Sequence, residues 1–282
     1  MNKHSIRFAG ILTCAALCAT PAWGANGCSD LPGYAHLKAA LVAATTAEGT
    51  GLKMNMWATV VDRDGIVCAV AFTGGNRGAQ WPGSRVISAQ KANTANAFSL
   101  DPSAASGAVG GPLALSTANL YSAVQPGGSL FGLQESNPVA TDVAYKGPSS
   151  NFGTANDPMV GEKIGGVNVF GGGLALYAAG AKILGAVGVS GDTSCTDHNI
   201  AWRTRHNLNL DKMLGTIPGV AGIFAGDTSH PDNIIFDVAP NPNGGTGLSL
   251  TGFGHPTCLN NPPSAPAASG KPPVASGLPA VQ

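Results

Sequence analysis

The chain has 282 residues, with 15 basic and 15 acidic side chains, 40 glycines and 20 prolines. Charge this sparse and this balanced offers no basic footprint to a nucleic-acid backbone, so nucleic acid is excluded as a partner. The length accommodates one large domain or two small ones.

The N-terminal stretch reads as a targeting segment. Lys3, His4 and Arg7 make a basic start, residues 8–19 form an apolar run, and Ala22-Trp23-Gly24 precedes Ala25 as a small-x-small cleavage signal. That is the build of a secretory signal peptide over residues 1–24. The apolar run is shorter than the ~20 residues of a membrane-spanning helix. Neither Leu17 before Cys18 nor Thr13 before Cys14 suits a lipobox. The expectation is cleavage after Gly24 and a periplasmic or secreted protein, with no membrane insertion after cleavage. Cleavage removes Cys14 and Cys18 and leaves Cys28, Cys68, Cys195 and Cys258. An even number of cysteines in an oxidising compartment favours disulfides, here two, and all pairings stay open. No C-x-x-C pair supports a metal site in their place.

The first mature element is a helix over 31–47: Pro32 suits a first turn, Leu37, Leu41 and Ala44 recur at helical spacing, and Gly49 and Gly51 end it. His36 on this helix reads as a surface or core-edge histidine. Strands over 54–61 and 66–72, rich in valine and joined by Asp62-Arg63-Asp64-Gly65, make a hairpin. A glycine-rich loop with Arg77 and Trp81 then feeds a helix over 84–98. On it Ser84, Ser88, Lys91 and Ala95 share a face, with Thr94 alongside. This face is either a polar pocket wall or an ordinary solvated surface. Ser88-x-x-Lys91 matches the S-x-x-K pattern of serine β-lactamases, but the S-D-N and K-T-G partners are absent.

Residues 167–209 form the organising stretch. Apolar runs over 174–177 and 183–189 are joined by Ala179-Gly180-Ala181-Lys182, a hairpin signal. Gly188, Gly191 and Asp192 break the second strand, and Ser194 or Thr196 can cap a helix starting near Asp197. Gly171-Gly172-Gly173 lacks the spacing of a dinucleotide fingerprint, and Gly188-Val189-Ser190-Gly191 falls short of a G-x-S-x-G elbow. No residue receives a catalytic role.

In order and spacing, Val61-Asp62 with Gly65, then Lys91-Ala92-x-Thr94-Ala95, then Gly185-Ala186-Val187-Gly188-Val189-Ser190-Gly191 resemble the GlcG/HbpS-type haem-binding family, over about 34–100 and 165–209. The resemblance implies an α+β fold, an antiparallel β-sheet flanked by α-helices, and a homo-oligomer. Several members of that family bind haem or are linked to its degradation, and the related C-terminal domain of PduO-type proteins binds haem. The expectation is a single domain over 25–259.

This chain departs from the family pattern in an insertion over 101–164, with a short apolar element at 113–121, and in an extension over 211–258, with a strand at 233–238. Cys258 points to an extension stapled back onto the core, with Cys195 one candidate partner. Residues 260–282, heavy in Pro, Ala and Ser, read as a disordered tail.

The resemblance implies a non-covalent pocket for haem b or a related tetrapyrrole, with Lys91 and Thr94 in its lining. For the iron, His198, Trp202 and His206 share one helix face, but roughly 12 Å along the axis separates the two histidines, so both cannot ligate one iron. His198 at the helix start is the better-placed metal ligand, with Asp197 able to orient its ring and free N–H groups able to meet a propionate. No C-x-x-C-H exists for covalent attachment. The expected function is exported haem storage, scavenging or sensing. The alternatives are a haem-degrading or peroxide-consuming enzyme, and an accessory oligomer that binds another small molecule.

Overall fold

Two hairpins merge into one sheet because the second strand of the later one pairs with the first strand of the earlier. A computed structural model describes residues 27–104, 111–219, 229–239, 241–243, 245, 247–258 and 275–282. The expected signal peptide lies outside the described residues. Strand β1 (Trp57–Asp62) pairs with β2 (Val67–Phe72), and β3 (Gly173–Ala178) with β4 (Lys182–Ser190). β4 also pairs with β1, giving the order β2-β1-β4-β3, antiparallel throughout. The first turn is closed by Asp62, whose Oδ1 accepts from the backbone N–H groups of Asp64 and Ile66, both at 2.9 Å.

Helix α2 (Ser84–Phe98) covers one face of the sheet; α1 (Tyr34–Ala47) and α4 (Ser194–Asn207) cover the other. The strand period shows in β1. Trp57 and Val61 pack with Val86, Ala89 and Ala92 of α2, while Ala58 and Val60 pack with Leu37, Leu41 and Ile200. This is the α+β arrangement that the family resemblance implies, an antiparallel sheet flanked by helices, here on both faces. α1 begins later than its sequence signal, because Pro32 and the extended Gly33 precede it and Gly27–Asp30 form a separate 3-10 turn. No helix among the described residues is long and apolar enough to cross a membrane.

α2 lies close to the sheet on a pair of facing glycines. Gly173 and Gly188 are register partners, and an added Cβ would stand 2.4 Å from Lys91 O at the first and 1.9 Å from Ser88 O at the second. Only hydrogen at these positions lets the helix backbone descend this far. The descent brings the Lys91 side chain against the end of β4.

The insertion is clamped to α2 rather than loose. It carries a short helix α3 (Thr141–Ala144) and several 3-10 turns. Buried Arg85 donates to both oxygens of Asp157, at 2.9 and 2.5 Å, and to Ala144 O at 2.7 Å, with its guanidinium 3.7 Å above the Phe152 ring. The apolar element expected at 113–121 appears as a bridge from Leu113 to Leu100 and a 3-10 turn, Thr117–Leu120, with Leu115 and Leu120 buried.

Two disulfides form, Cys28–Cys68 and Cys195–Cys258. In the extension, the strand expected over 233–238 shrinks to β5 (Val238–Ala239), paired with β6 (Leu248–Ser249). Ile234, Ile235 and Phe236 are buried outside the named strands; Asn233 Oδ1 accepts from the Ile234 N–H, and Ile235 O accepts from the His255 N–H. Of the tail, 260–274 lies outside the described residues. Residues 275–282, expected to be disordered, are instead docked: Ala275, Leu278 and Val281 are buried, and Pro279 O accepts from Trp202 Nε1 at 2.8 Å. Apolar side chains spaced three apart give this short end a foothold that its composition conceals.

Candidate functional site

A pocket of about 380 Å³ opens between the start of α2, the segment before β3, the end of β4 and the start of α4. Trp81, Ile87 and Phe170 supply its apolar wall, and Lys91, Ser194 and Asp197 part of its polar wall. Trp81 and Phe170 are 50% and 51% exposed, an unusual placement for large apolar rings.

The polar wall is built around one buried ion pair. Lys91 Nζ stands 2.7 Å from Asp197 Oδ2 and donates also to Val189 O at 3.1 Å, with both side chains almost fully buried. The Asp192 N–H donates to the other Asp197 oxygen at 2.9 Å. Burial pushes the Asp197 carboxyl up to about 6 against the pull of Lys91, and burial lowers the Lys91 ammonium below its ordinary range. Asp192 is spent on structure: its oxygens accept from the backbone N–H groups of Leu52, Met54 and Thr193.

Of the residues expected at the site, Lys91 borders this pocket; Thr94 and His198 are buried outside its lining. Thr94 Oγ1 donates to Gln90 O at 2.8 Å and accepts from the Asn168 N–H at 3.0 Å, a link between α2 and the segment that carries Phe170. His198 has Nε2 3.3 Å from Asn233 Oδ1, while Nδ1 has no hydrogen-bond partner among the described residues. Burial lowers this imidazole to about 4, so the ring is neutral at neutral pH. Asp197 does not orient it. Neighbouring helix positions point in different directions, and Asp197 faces α2, where the ammonium is. His206 lies further along α4, with Nδ1 2.8 Å from Asp211. Ser88 is buried against Thr59, at 2.7 Å between hydroxyls, and does not reach the pocket.

Sequence reading missed Phe170 and Ser194 as pocket residues, and His255 as the hydrogen-bond partner of Ser194. Ser194 was legible only as a helix cap, yet Thr193 is the N-cap and Ser194 Oγ lies 2.7 Å from His255 Nε2. A pairing across 61 residues leaves no local signal. Among the described residues, both groups of His, Cys, Asp or Glu close enough to hold a metal include a disulfide, which occupies their sulfurs.

A four-stranded antiparallel sheet between helices, with a pocket at the α2–α4 edge, defines the class of fold. The family model described as haem degrading protein HbpS-like matches residues 35–205, and the chain belongs to that family. Among solved structures it is similar to ORFY of Klebsiella pneumoniae, at 24% identity over 63% of this chain and 90% of that one, with a TM-score of 0.40. It is similar also to PduOC in its haem complex, at 21% identity over 65% and 94% of the two chains and a TM-score of 0.41. HbpS follows at 18% identity, 61% and 84% coverage and a TM-score of 0.36. No curated protein matches the sequence significantly.

Proposed function

We propose that this chain is an exported, periplasmic or secreted protein that binds haem b or a related tetrapyrrole non-covalently, for storage, scavenging or sensing, and that it works as a homo-oligomer. The observation that carries the reading is the pair of half-exposed aromatic rings, Trp81 and Phe170, at a pocket with Ile87 inside and buried charge behind. A flat apolar ring gains most from such a slot, and the volume falls within the ~300–1,000 Å³ usual for ligand sites. Membership of the HbpS-like family supports the same ligand class.

The lining fits the ring better than the iron. Haem iron in proteins is held by His, Cys, Met or Tyr, and none of these is among the described residues lining the pocket. Lys91, Ser190 and Ser194 would meet the propionates. His198, neutral and with Nδ1 unpartnered among the described residues, would reach an iron only if the backbone at Gly171 lifted, since an added Cβ there would stand 3.0 Å from His198 Cβ. When bound, haem would supply a redox-active iron; the residues here hold and orient it.

Titration of the purified protein with hemin tests the proposal. A saturable Soret shift at micromolar concentration is expected, weakened about tenfold in the Trp81→Ala/Phe170→Ala variant. An unshifted spectrum would end the reading. A spectrum unchanged in His198→Ala would remove that residue as axial ligand. The family's description favours one second reading, haem degradation. Loss of the Soret band under a reductant, with release of iron and a bilin, would identify an enzyme.

A further inference from the structure

One of the places where the insertion and the extension meet is His255. Ser122 of the insertion donates to Gly254 O through its hydroxyl at 2.7 Å and its N–H at 3.2 Å, and the Tyr121 ring centre lies 4.9 Å from that of His255. The His255 N–H is pinned to Ile235 O at 2.7 Å, and the Cys195–Cys258 disulfide ties the same loop to the first turn of α4. His255 lies beyond the region that the family model matches. All of this holds a buried imidazole against Ser194, which borders the pocket.

The proton positions follow from the partners. His255 Nδ1 is 2.7 Å from Pro256 O, and a carbonyl only accepts, so Nδ1 carries the hydrogen. Nε2 then presents its lone pair to the Ser194 hydroxyl at 2.7 Å. Burial lowers His255 to about 4, which keeps this ring neutral and able to accept. Ser194 Oγ also accepts from the Gly171 N–H at 2.7 Å and sits at the positive end of α4, both of which favour negative charge on that oxygen. A serine that donates to an imidazole whose far nitrogen is fixed by an acceptor is the arrangement that activates serine for attack. Here the Pro256 carbonyl stands where a carboxylate more often does.

We propose that Ser194 is a nucleophile and His255 its general base, forming an acyl-transfer site for esters with compact apolar acyl groups that fit between Ile87 and Phe170. Ser194 Oγ bonds to the ester carbonyl carbon while its proton passes to His255 Nε2. The ester C–O bond breaks, and the leaving alcohol takes that proton. Water, deprotonated by the same nitrogen, then attacks the acyl-serine, and Ser194 regains its proton as the acid departs. No redox partner is needed, and the proposal does not rest on haem binding, although a ring in this pocket would exclude the ester.

The test uses the haem-free, disulfide-intact protein, a fluorophosphonate probe and p-nitrophenyl butyrate. The expected result is one adduct per chain, mapped to Ser194 by peptide mass spectrometry, with ester turnover lost in Ser194→Ala. Labelling should slow at least tenfold in His255→Gln. No adduct, an adduct on another residue, or equal labelling in a folded His255→Gln would overturn the proposal. If that variant does not fold, mapping the adduct on the wild-type chain still decides, because its absence from Ser194 is equally fatal.

Discussion

Two buried histidines tie the stability of this fold to pH. Burial lowers both His198 and His255 from 6.5 to about 4. Within that window the unfolded chain binds protons that the folded chain refuses, so stability rises with pH through it and is fully present above it. Each tenfold loss of proton affinity is worth about 1.4 kcal/mol, so acidification through the window should remove up to roughly 3 kcal/mol for each ring. Urea midpoints should fall between pH 7 and pH 4, and combining His198→Gln with His255→Gln should flatten or reverse the curve, because Asp197, raised to about 6 by burial, favours the folded chain as pH falls through the same window. The Lys91–Asp197 pair carries a different risk. Lys91→Ala leaves a buried carboxylate without its cation and should cost about 3–5 kcal/mol. Thr94→Ala leaves only the Asn168 N–H unpaired and should cost about 1–3 kcal/mol. Thermal unfolding of the two variants would show whether they rank in that order.

At the scale of elements, helix–sheet approach and the disulfides set what the site can be. Gly188→Ala would push a methyl to within 1.9 Å of Ser88 O, a backbone atom that cannot turn aside. Overpacking usually costs about 1–3 kcal/mol, and this position should reach or pass the top of that range in chemical denaturation. The Cys195–Cys258 bridge spans 63 residues, and its removal by double alanine substitution should cost about 4 kcal/mol while releasing His255 from Ser194. Local pattern made several elements legible. The β1–β2 hairpin, α2 over 84–98 and the β3–β4 hairpin follow from valine-rich runs, helical spacing and glycine turns, and each appears where expected. α4 begins at Ser194 rather than near Asp197, because Thr193 takes the cap position. Among the described residues the strand expected over 233–238 is reduced to Val238–Ala239, while Ile234 and Phe236 pack into the core shared with α4 and the tail.

For the molecule as a whole, the sequence was most legible where the family pattern is densest, and least where this chain has added to it. Lys91 could be placed at a pocket wall because its neighbours on α2 repeat a recognisable motif. His198 was placed by residue type and helix position, and neither reveals that the chain around Gly171 and Asn233 closes over it. Arg85–Asp157, Arg205–Asp232 and Ser194–His255 are buried pairings between residues far apart in sequence, decided by packing. Arg85–Asp157 fastens the insertion to α2, Arg205–Asp232 fastens the extension to α4, and Ser194–His255 sets the extension against the pocket. Whether that pocket is the tetrapyrrole site is decided by a crystal structure of the protein grown with hemin. The ring should lie between Trp81 and Phe170, with its carboxylates toward Lys91 and Ser194. A ring bound in the groove between α1 and α4, or no ring at full hemin saturation, would refute the assignment.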